Sequence, residues 1–194
     1  MCGSGTPAIE AAMKAMKRAP GSLRAHFGFM GIKGYNQIIP GEKAPLAAPR
    51  QRFGVSPELI FKDMVLEAQA NEKKEIPAIL ATDISPEAVQ NAQINAHAAG
   101  VFNKITFVVC DFAETDVQQF SRKSGDAESS VEKGSRPAVF FNPEYGIRLG
   151  DTEELKRLYD RIGQFLADNC KGMTGGLITG NPDLADLCKH STVF

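Results

Sequence analysis

Residues 78–111 read AILATDISPEAVQNAQINAHAAGVFNKITFVVCD, and their pattern decides the fold class. The short apolar run at the front closes on an acid, Asp83. Ser85 then stands as a helix N-cap, and Pro86 takes the first helical position, where its missing N–H costs nothing. Helix formers fill residues 88–99, and Gly100 supplies the C-cap. The run ITFVV is β-branched and aromatic and leads to a second acid, Asp111. Strand, helix and strand follow one another, with an acid where each strand ends.

The same alternation extends outward in both directions. Apolar residues Ile9, Ala12, Met13 and Met16 predict a helix over 7–18, stopped by Ala19-Pro20-Gly21. Residues 20–75 read as an insertion, irregular and rich in Gly and Pro to residue 56 and then at helical spacing over 57–73. Residues 115–137 are polar and of low hydrophobicity, a mobile loop by composition. Beyond them come AVFFNPEYG, a helix over 152–168, the run GGLITG and a last helix in NPDLADLCKH. This order predicts an open, mostly parallel α/β sheet with helices on both faces. Ligands of such sheets sit beyond the carboxyl ends of the strands. Those ends are Asp83, Asp111, Asn142 and Thr179, joined by the glycine turn at the front.

The whole chain, residues 1–194, has the size and 43% hydrophobic content of one domain able to build its own core. Cys2, Cys110, Cys170 and Cys188 show no C-x-x-C and no nearby His pair, so neither a zinc site nor a disulfide framework is indicated. A reducing, cytoplasmic setting fits this usage. No stretch approaches the ~18 apolar residues of a membrane span. With 22 Lys+Arg against 23 Asp+Glu, the net charge of −1 does not mark the whole chain as a nucleic-acid binder. Any such binding must come from a local patch or from further parts. MCGSGT enters a helix without the strand that normally precedes such a turn, so the sequence reads as part of a longer protein.

CGSGTPA gives Gly3-x-Gly5-x-x-Ala8, a relaxed dinucleotide fingerprint in which glycines let a ligand approach the backbone. A bare strand-to-helix turn explains the motif equally well. A nicotinamide site expects its ribose-binding acid ~20 residues on, and Asp83 lies far beyond that distance. S-adenosylmethionine uses more of the sequence. The turn would take its aminoacyl end, Asp83 its two ribose hydroxyls and Asp111 its adenine amino group. Carboxylates suit these tasks because ionised acids only accept hydrogen bonds. Each acid alone can also be a helix N-cap.

FFNPEYGIRLG, residues 140–150, ends an apolar run on Asn-Pro. An amine attached to an aromatic base is a poor nucleophile, because its lone pair is delocalised into the ring. Acceptors against both N–H bonds draw the nitrogen toward a pyramidal geometry. The Asn142 side-chain carbonyl and the Pro143 backbone carbonyl are candidates for these acceptors. Proline presets its own φ and holds the residue before it extended. Tyr145 offers a flat face on which an extruded base can stack. The plainer alternative is an Asn-Pro turn with Tyr145 in the core.

Taken in order, MCGSGT, ATDISPEAVQNAQINAHAAGV, ITFVVCDF, FFNPEYGIRLG with LKRLYDRIGQFL, and GGLITGNPDLA resemble the successive motifs of the bacterial large-subunit (23S) rRNA guanine-N2 methyltransferases. The resemblance covers most of the chain, APGSLRAHFGF in the insertion included. It implies a Rossmann-like class I fold, S-adenosylmethionine as cofactor, an rRNA substrate, no metal, and a THUMP RNA-binding domain upstream. It also implies roles for single residues. Cys2, Gly3, Gly5 and Thr6 would line the aminoacyl end, Asp83 the ribose and Asp111 the adenine, with Ile84 and Phe112 also beside the cofactor. Asn142, Pro143 and Tyr145 would hold the guanine, with Asn142 also beside the cofactor.

Three departures stand out. The strand and Asp-Pro that family members carry before the glycine turn are missing, together with the RNA-binding domain. The terminal strand pair is missing as well. Glu144 replaces the second proline of Asn-Pro-Pro-Tyr, which bears on loop stiffness more than on chemistry.

Three other readings remain: an adenine-N6 methyltransferase of RNA or DNA, a non-catalytic remnant whose sheet lacks a central strand, and a nicotinamide oxidoreductase. Basic residues Lys14, Lys17, Arg18, Arg24 and Lys33, with Arg148, Lys156, Arg157 and Arg161, either touch phosphate or form a solvated helix face. His26, His97 and His190 have no spacing that suggests catalysis.

Overall fold

The computed structural model describes residues 1–24, 28, 57–118, 120, 137–144 and 152–189. Its contacts divide the chain into two units, residues 1–12 with 75–194, and residues 13–74.

The first unit repeats one plan twice. Strand β1 (Ile79–Asp83) is followed by a helix over Pro86–Ala98 and by β2 (Ile105–Val109). β1 and β2 pair in parallel, from Ile79 opposite Ile105 to Asp83 opposite Val109. Strand β3 (Ala138–Phe141), a helix over Thr152–Asn169 and β4 (Thr174–Leu177) follow the same plan, with Ala138 opposite Thr174. A helix of ten residues, Thr6–Ala15, opens the chain, and one over Pro182–Lys189 ends the described part. Counting Pro57–Ala70 of the second unit, the helices are α1 to α5 in chain order: Thr6–Ala15, Pro57–Ala70, Pro86–Ala98, Thr152–Asn169 and Pro182–Lys189. Parallel strands joined through helices make this a Rossmann-like α/β fold.

The two pairs do not form one ladder: β1–β2 and β3–β4 are separate two-stranded sheets among the described residues. Between β1 and β3 lies a groove of about 730 Å³, lined by residues 79–82 on one side and 138–142 on the other. The Cys2 N–H meets the Thr82 carbonyl at 2.7 Å, so the chain enters the turn alongside the free edge of β1.

Local sequence accounts for the helices. The Ser85 hydroxyl accepts from the Ala88 N–H at 3.2 Å, and Pro86 occupies the first turn of α3. α3 buries Val89, Ala92 and Ala96, a stripe at helical spacing. α4 buries Tyr159, Ile162 and Phe165 in a core shared with Phe112, Phe141, Cys170, Leu184 and Cys188. Burying an Ile or Phe side chain of this kind contributes about 1.5–3 kcal/mol.

In the second unit the helices stop earlier than their spacing predicts. α1 ends at Ala15 rather than residue 18, because the chain turns left-handed at Lys17, φ +58°. α2 ends at Ala70 rather than residue 73, where the Asn71 side-chain amide caps the Glu67 carbonyl at 2.9 Å. Arg18 grips both oxygens of Glu72, at 2.9 and 3.0 Å. The rest of the insertion, residues 25–27 and 29–56, and most of the polar loop, residues 119 and 121–136, lie outside the described residues.

Candidate active site

Gly5 begins the site. Its φ of +83° is a conformation L side chains rarely adopt, and a Cβ there would stand 2.8 Å from that of Ala92. Only glycine lets the turn lie this close to α3. The Asn95 side-chain amide pins the turn from outside, donating to the Ser4 carbonyl at 2.9 Å.

Asp83 closes the other side of the turn. One carboxylate oxygen accepts the Gly3 N–H at 2.9 Å and the other the Ser85 N–H at 3.0 Å. A carboxylate offers about four lone pairs, so each oxygen keeps one for a further donor. Two such sites on one rigid group suit a vicinal diol. Ile84, beside it, is 69% exposed, an apolar side chain held open to solvent next to that acceptor. Burial first, and then the Asp83 charge, pushes the Cys2 thiol above its ordinary 9.0. Cys2 is therefore a protonated wall of the site rather than a nucleophile.

Asp111 is built on the same principle. It caps the 3-10 turn Phe112–Glu114, accepting the Ala113 N–H on one oxygen at 2.9 Å. The Arg161 guanidinium donates to the other oxygen, also at 2.9 Å. These two contacts, the backbone one first, hold its carboxyl below the usual carboxylate range. The capping role weighed for Asp111 is thus present, and it leaves one lone pair free on each oxygen.

Phe112, next to Asp111, lines the same groove as Cys2 and Asn142. Its ring is only 6% exposed and makes edge-on contacts with Phe141 and Phe165, so it belongs to the core.

Asn142 follows β3 directly. Its side chain is exposed, lines the groove that Cys2 also lines, and has no hydrogen-bond partner among the described residues. Pro143 is buried and anchors the chain just beyond it, while Glu144 is exposed. Tyr145 and Arg148 lie outside the described residues. Thr179, the fourth strand-end residue, serves the fold. Its hydroxyl meets the Tyr159 hydroxyl at 2.7 Å and accepts the Asn181 N–H at 3.1 Å.

The basic residues named from the sequence divide. Arg18 is bound to Glu72, Lys156 to Glu153 and Arg161 to Asp111, so these three have partners within the chain. His97 stacks on Phe102 with ring centroids 3.8 Å apart. The sequence reading missed the link from Arg161 to Asp111, fifty positions away. The signal that could have found it is modest: Arg161 stands one helical turn before the buried Phe165 on α4.

Known proteins share this arrangement. "Ribosomal RNA large subunit methyltransferase K/L" of Syntrophotalea carbinolica is 28% identical over 185 residues, 95% of this chain and 22% of that protein. The chain thus spans about a fifth of the length of this curated relative. SMU.472, described as a methyltransferase and solved in complex with SAH, superposes with a TM-score of 0.66 at 22% identity and shows the shared fold. The match covers 97% of this chain and 40% of that one. A predicted N6-adenine-specific DNA methylase of Listeria monocytogenes str. 4b F2365 superposes at 0.63 with 25% identity over the same shares. No helix among the described residues is long and apolar enough to cross a membrane. Residues 1–193 match UPF0020, described as RMKL-like, methyltransferase domain, and the chain belongs to that family of methyltransferase domains.

Proposed function

We propose that this chain carries the S-adenosylmethionine-dependent transfer of a methyl group to the exocyclic N2 amine of a guanine in large-subunit rRNA. The observation that carries the reading is Asn142, whose carboxamide, without a hydrogen-bond partner among the described residues, stands at the end of β3 on the groove that Cys2 shares. The residues present fit the cofactor. The glycine turn gives backbone room for an aminoacyl group, Asp83 keeps two lone pairs for the ribose hydroxyls, and Asp111 keeps acceptors for the adenine amino group.

When bound, S-adenosylmethionine supplies a methyl group on a sulfonium. The rest is the protein's work. The Asn142 carbonyl oxygen and the Pro143 backbone carbonyl accept the two N–H bonds of the amine and aim its lone pair. Positive charge builds on nitrogen as it takes the methyl group, with the bonding electrons returning to sulfur and one N–H proton then passing to water, and acceptors already in place stabilise that charge without reorganising. Pro143 is buried, which anchors the backbone that carries its carbonyl. The substrate class is supported by the name of the Syntrophotalea carbinolica relative, a large-subunit rRNA methyltransferase. Delivery of the rRNA by a THUMP-type RNA-binding domain, and a cytoplasmic setting, belong to the same reading.

A second reading, methylation of adenine N6, has its own support in the likeness to the Listeria monocytogenes protein. The Asn-Pro acceptors suit any exocyclic amine. Incubating the protein with labelled S-adenosylmethionine and large-subunit rRNA, then digesting the product to nucleosides, separates the two. N2-methylguanosine is expected, and N6-methyladenosine as the sole product would sink the guanine assignment. Asn142→Ala should reduce kcat by about 10²- to 10³-fold, the loss typical of one preset stabilising group.

A further inference from the structure

A carboxylate bound through one oxygen still turns about its last side-chain torsion, which is broad for an sp³–sp² bond. Asp111 would be in that condition with the Ala113 N–H alone. The second donor that fixes its plane comes from α4, where the Arg161 guanidinium reaches the other oxygen at 2.9 Å. Arg161 is itself supported, because its guanidinium carbon lies 5.2 Å from the centre of the Phe112 ring. That ring is wedged edge-on between Phe141 and Phe165, with centroids 5.3 and 5.5 Å away. Phe165 stands one turn beyond Arg161 on the same helix, so ring and guanidinium rest on one rigid support.

We propose that Arg161 is a positioning residue for adenine recognition, holding the Asp111 carboxylate so that its free lone pairs meet the 6-amino group. The proposal rests on the S-adenosylmethionine reading above. It goes beyond that reading by giving a role to a residue that would otherwise count as a solvated cation. A planar guanidinium performs this task better than an ammonium. It donates in a fixed direction while its face lies on the ring, and it cannot lose its proton. The side chain is 49% exposed and is not a member of the core cluster, so replacing it leaves that cluster's own side chains in place.

The test is calorimetric titration of wild type, Arg161→Ala and Arg161→Lys with two probes. One is S-adenosylhomocysteine; the other is its analogue with purine in place of adenine, which lacks the amino donor. Wild type is expected to bind S-adenosylhomocysteine, with affinity falling roughly three- to tenfold in Arg161→Ala, the worth of one charge-assisted contact. Arg161→Lys should recover part of that loss. The purine analogue should bind wild type and Arg161→Ala with equal affinity.

An Arg161→Ala variant that binds S-adenosylhomocysteine as wild type does overturns the proposal. So does one that loses the same factor for both probes, since that marks a general structural effect. If wild type itself binds neither probe, the cofactor reading falls and the proposal falls with it. That result cannot be confused with failure of the Arg161 role alone.

Discussion

Asp83 and Asp111 are the same residue type placed where successive strands end, yet their partners differ in charge. Asp83 is held by two neutral backbone N–H groups, whereas Asp111 has one N–H and a guanidinium. The folded state therefore prefers Asp111 ionised and lowers its pKa below the ordinary 3.8. The stability this supplies is fully present above 3.8 and is lost as pH falls through the lower, folded value. Thermal unfolding at pH 5 and pH 3 should show the effect. Wild type should lose more Tm between the two than Asp111→Asn, which has no carboxyl to protonate there. Equal losses would mean that the ion pair contributes nothing in the folded state. Cys2 shows the opposite influence, since burial and a neighbouring carboxylate both disfavour its thiolate. Cys2→Ala is accordingly expected to retain methyl transfer, checked by single-turnover assay.

At the scale of elements, α3 shows what a sequence makes legible. Ser85, Pro86 and Gly100 mark its ends through capping chemistry that operates within a few residues, and the helix forms where they place it. Ser85→Ala should cost about 1 kcal/mol, read as a lowered midpoint in urea. Gly5→Ala tests the packing between the turn and the same helix. A Cβ meeting Ala92 at 2.8 Å, in a left-handed backbone, should cost about 1–3 kcal/mol in the same experiment.

Strand ends were legible too, because an acid or an amide after an apolar run is a local signal. The pairing of strands was not. Four- and five-residue strands with mixed burial carry no register of their own, so nothing local says that β2 joins β1 while β3 joins β4. Thr179 illustrates the same limit. It stands at a strand end like the others, but its hydroxyl is taken by Tyr159, twenty positions away. The Asp111–Arg161 contact and the burial of Phe112 likewise depend on α4 being packed against the 3-10 turn that follows β2, which no spacing records.

At the scale of the molecule, the two strand pairs share no backbone ladder among the described residues, yet side chains link them. Phe112 follows β2 and sits next to Asp111, but its ring lies in the core of the other pair, against Phe141 of β3 and Phe165 of α4. A ligand held by Asp83 and Asp111 on the first pair should therefore stabilise the second through Phe112 and the Arg161 that rests on it. Cys170 and Cys188 are buried in that second core, and desolvation drives the Cys170 thiol up to about 11. Such thiols react only when the core opens. A ligand present at about 100 times its Kd stabilises the folded state by about 2.7 kcal/mol, a roughly hundredfold drop in any opening that releases it. Alkylation of Cys170 and Cys188 at pH 8, followed by mass spectrometry, should thus slow by about one to two orders of magnitude when S-adenosylhomocysteine is added. Unchanged rates in a protein shown by calorimetry to bind the ligand would mean that the β3–β4 core opens independently of the β1–β2 site. The contacts of Phe112 would then be packing without coupling.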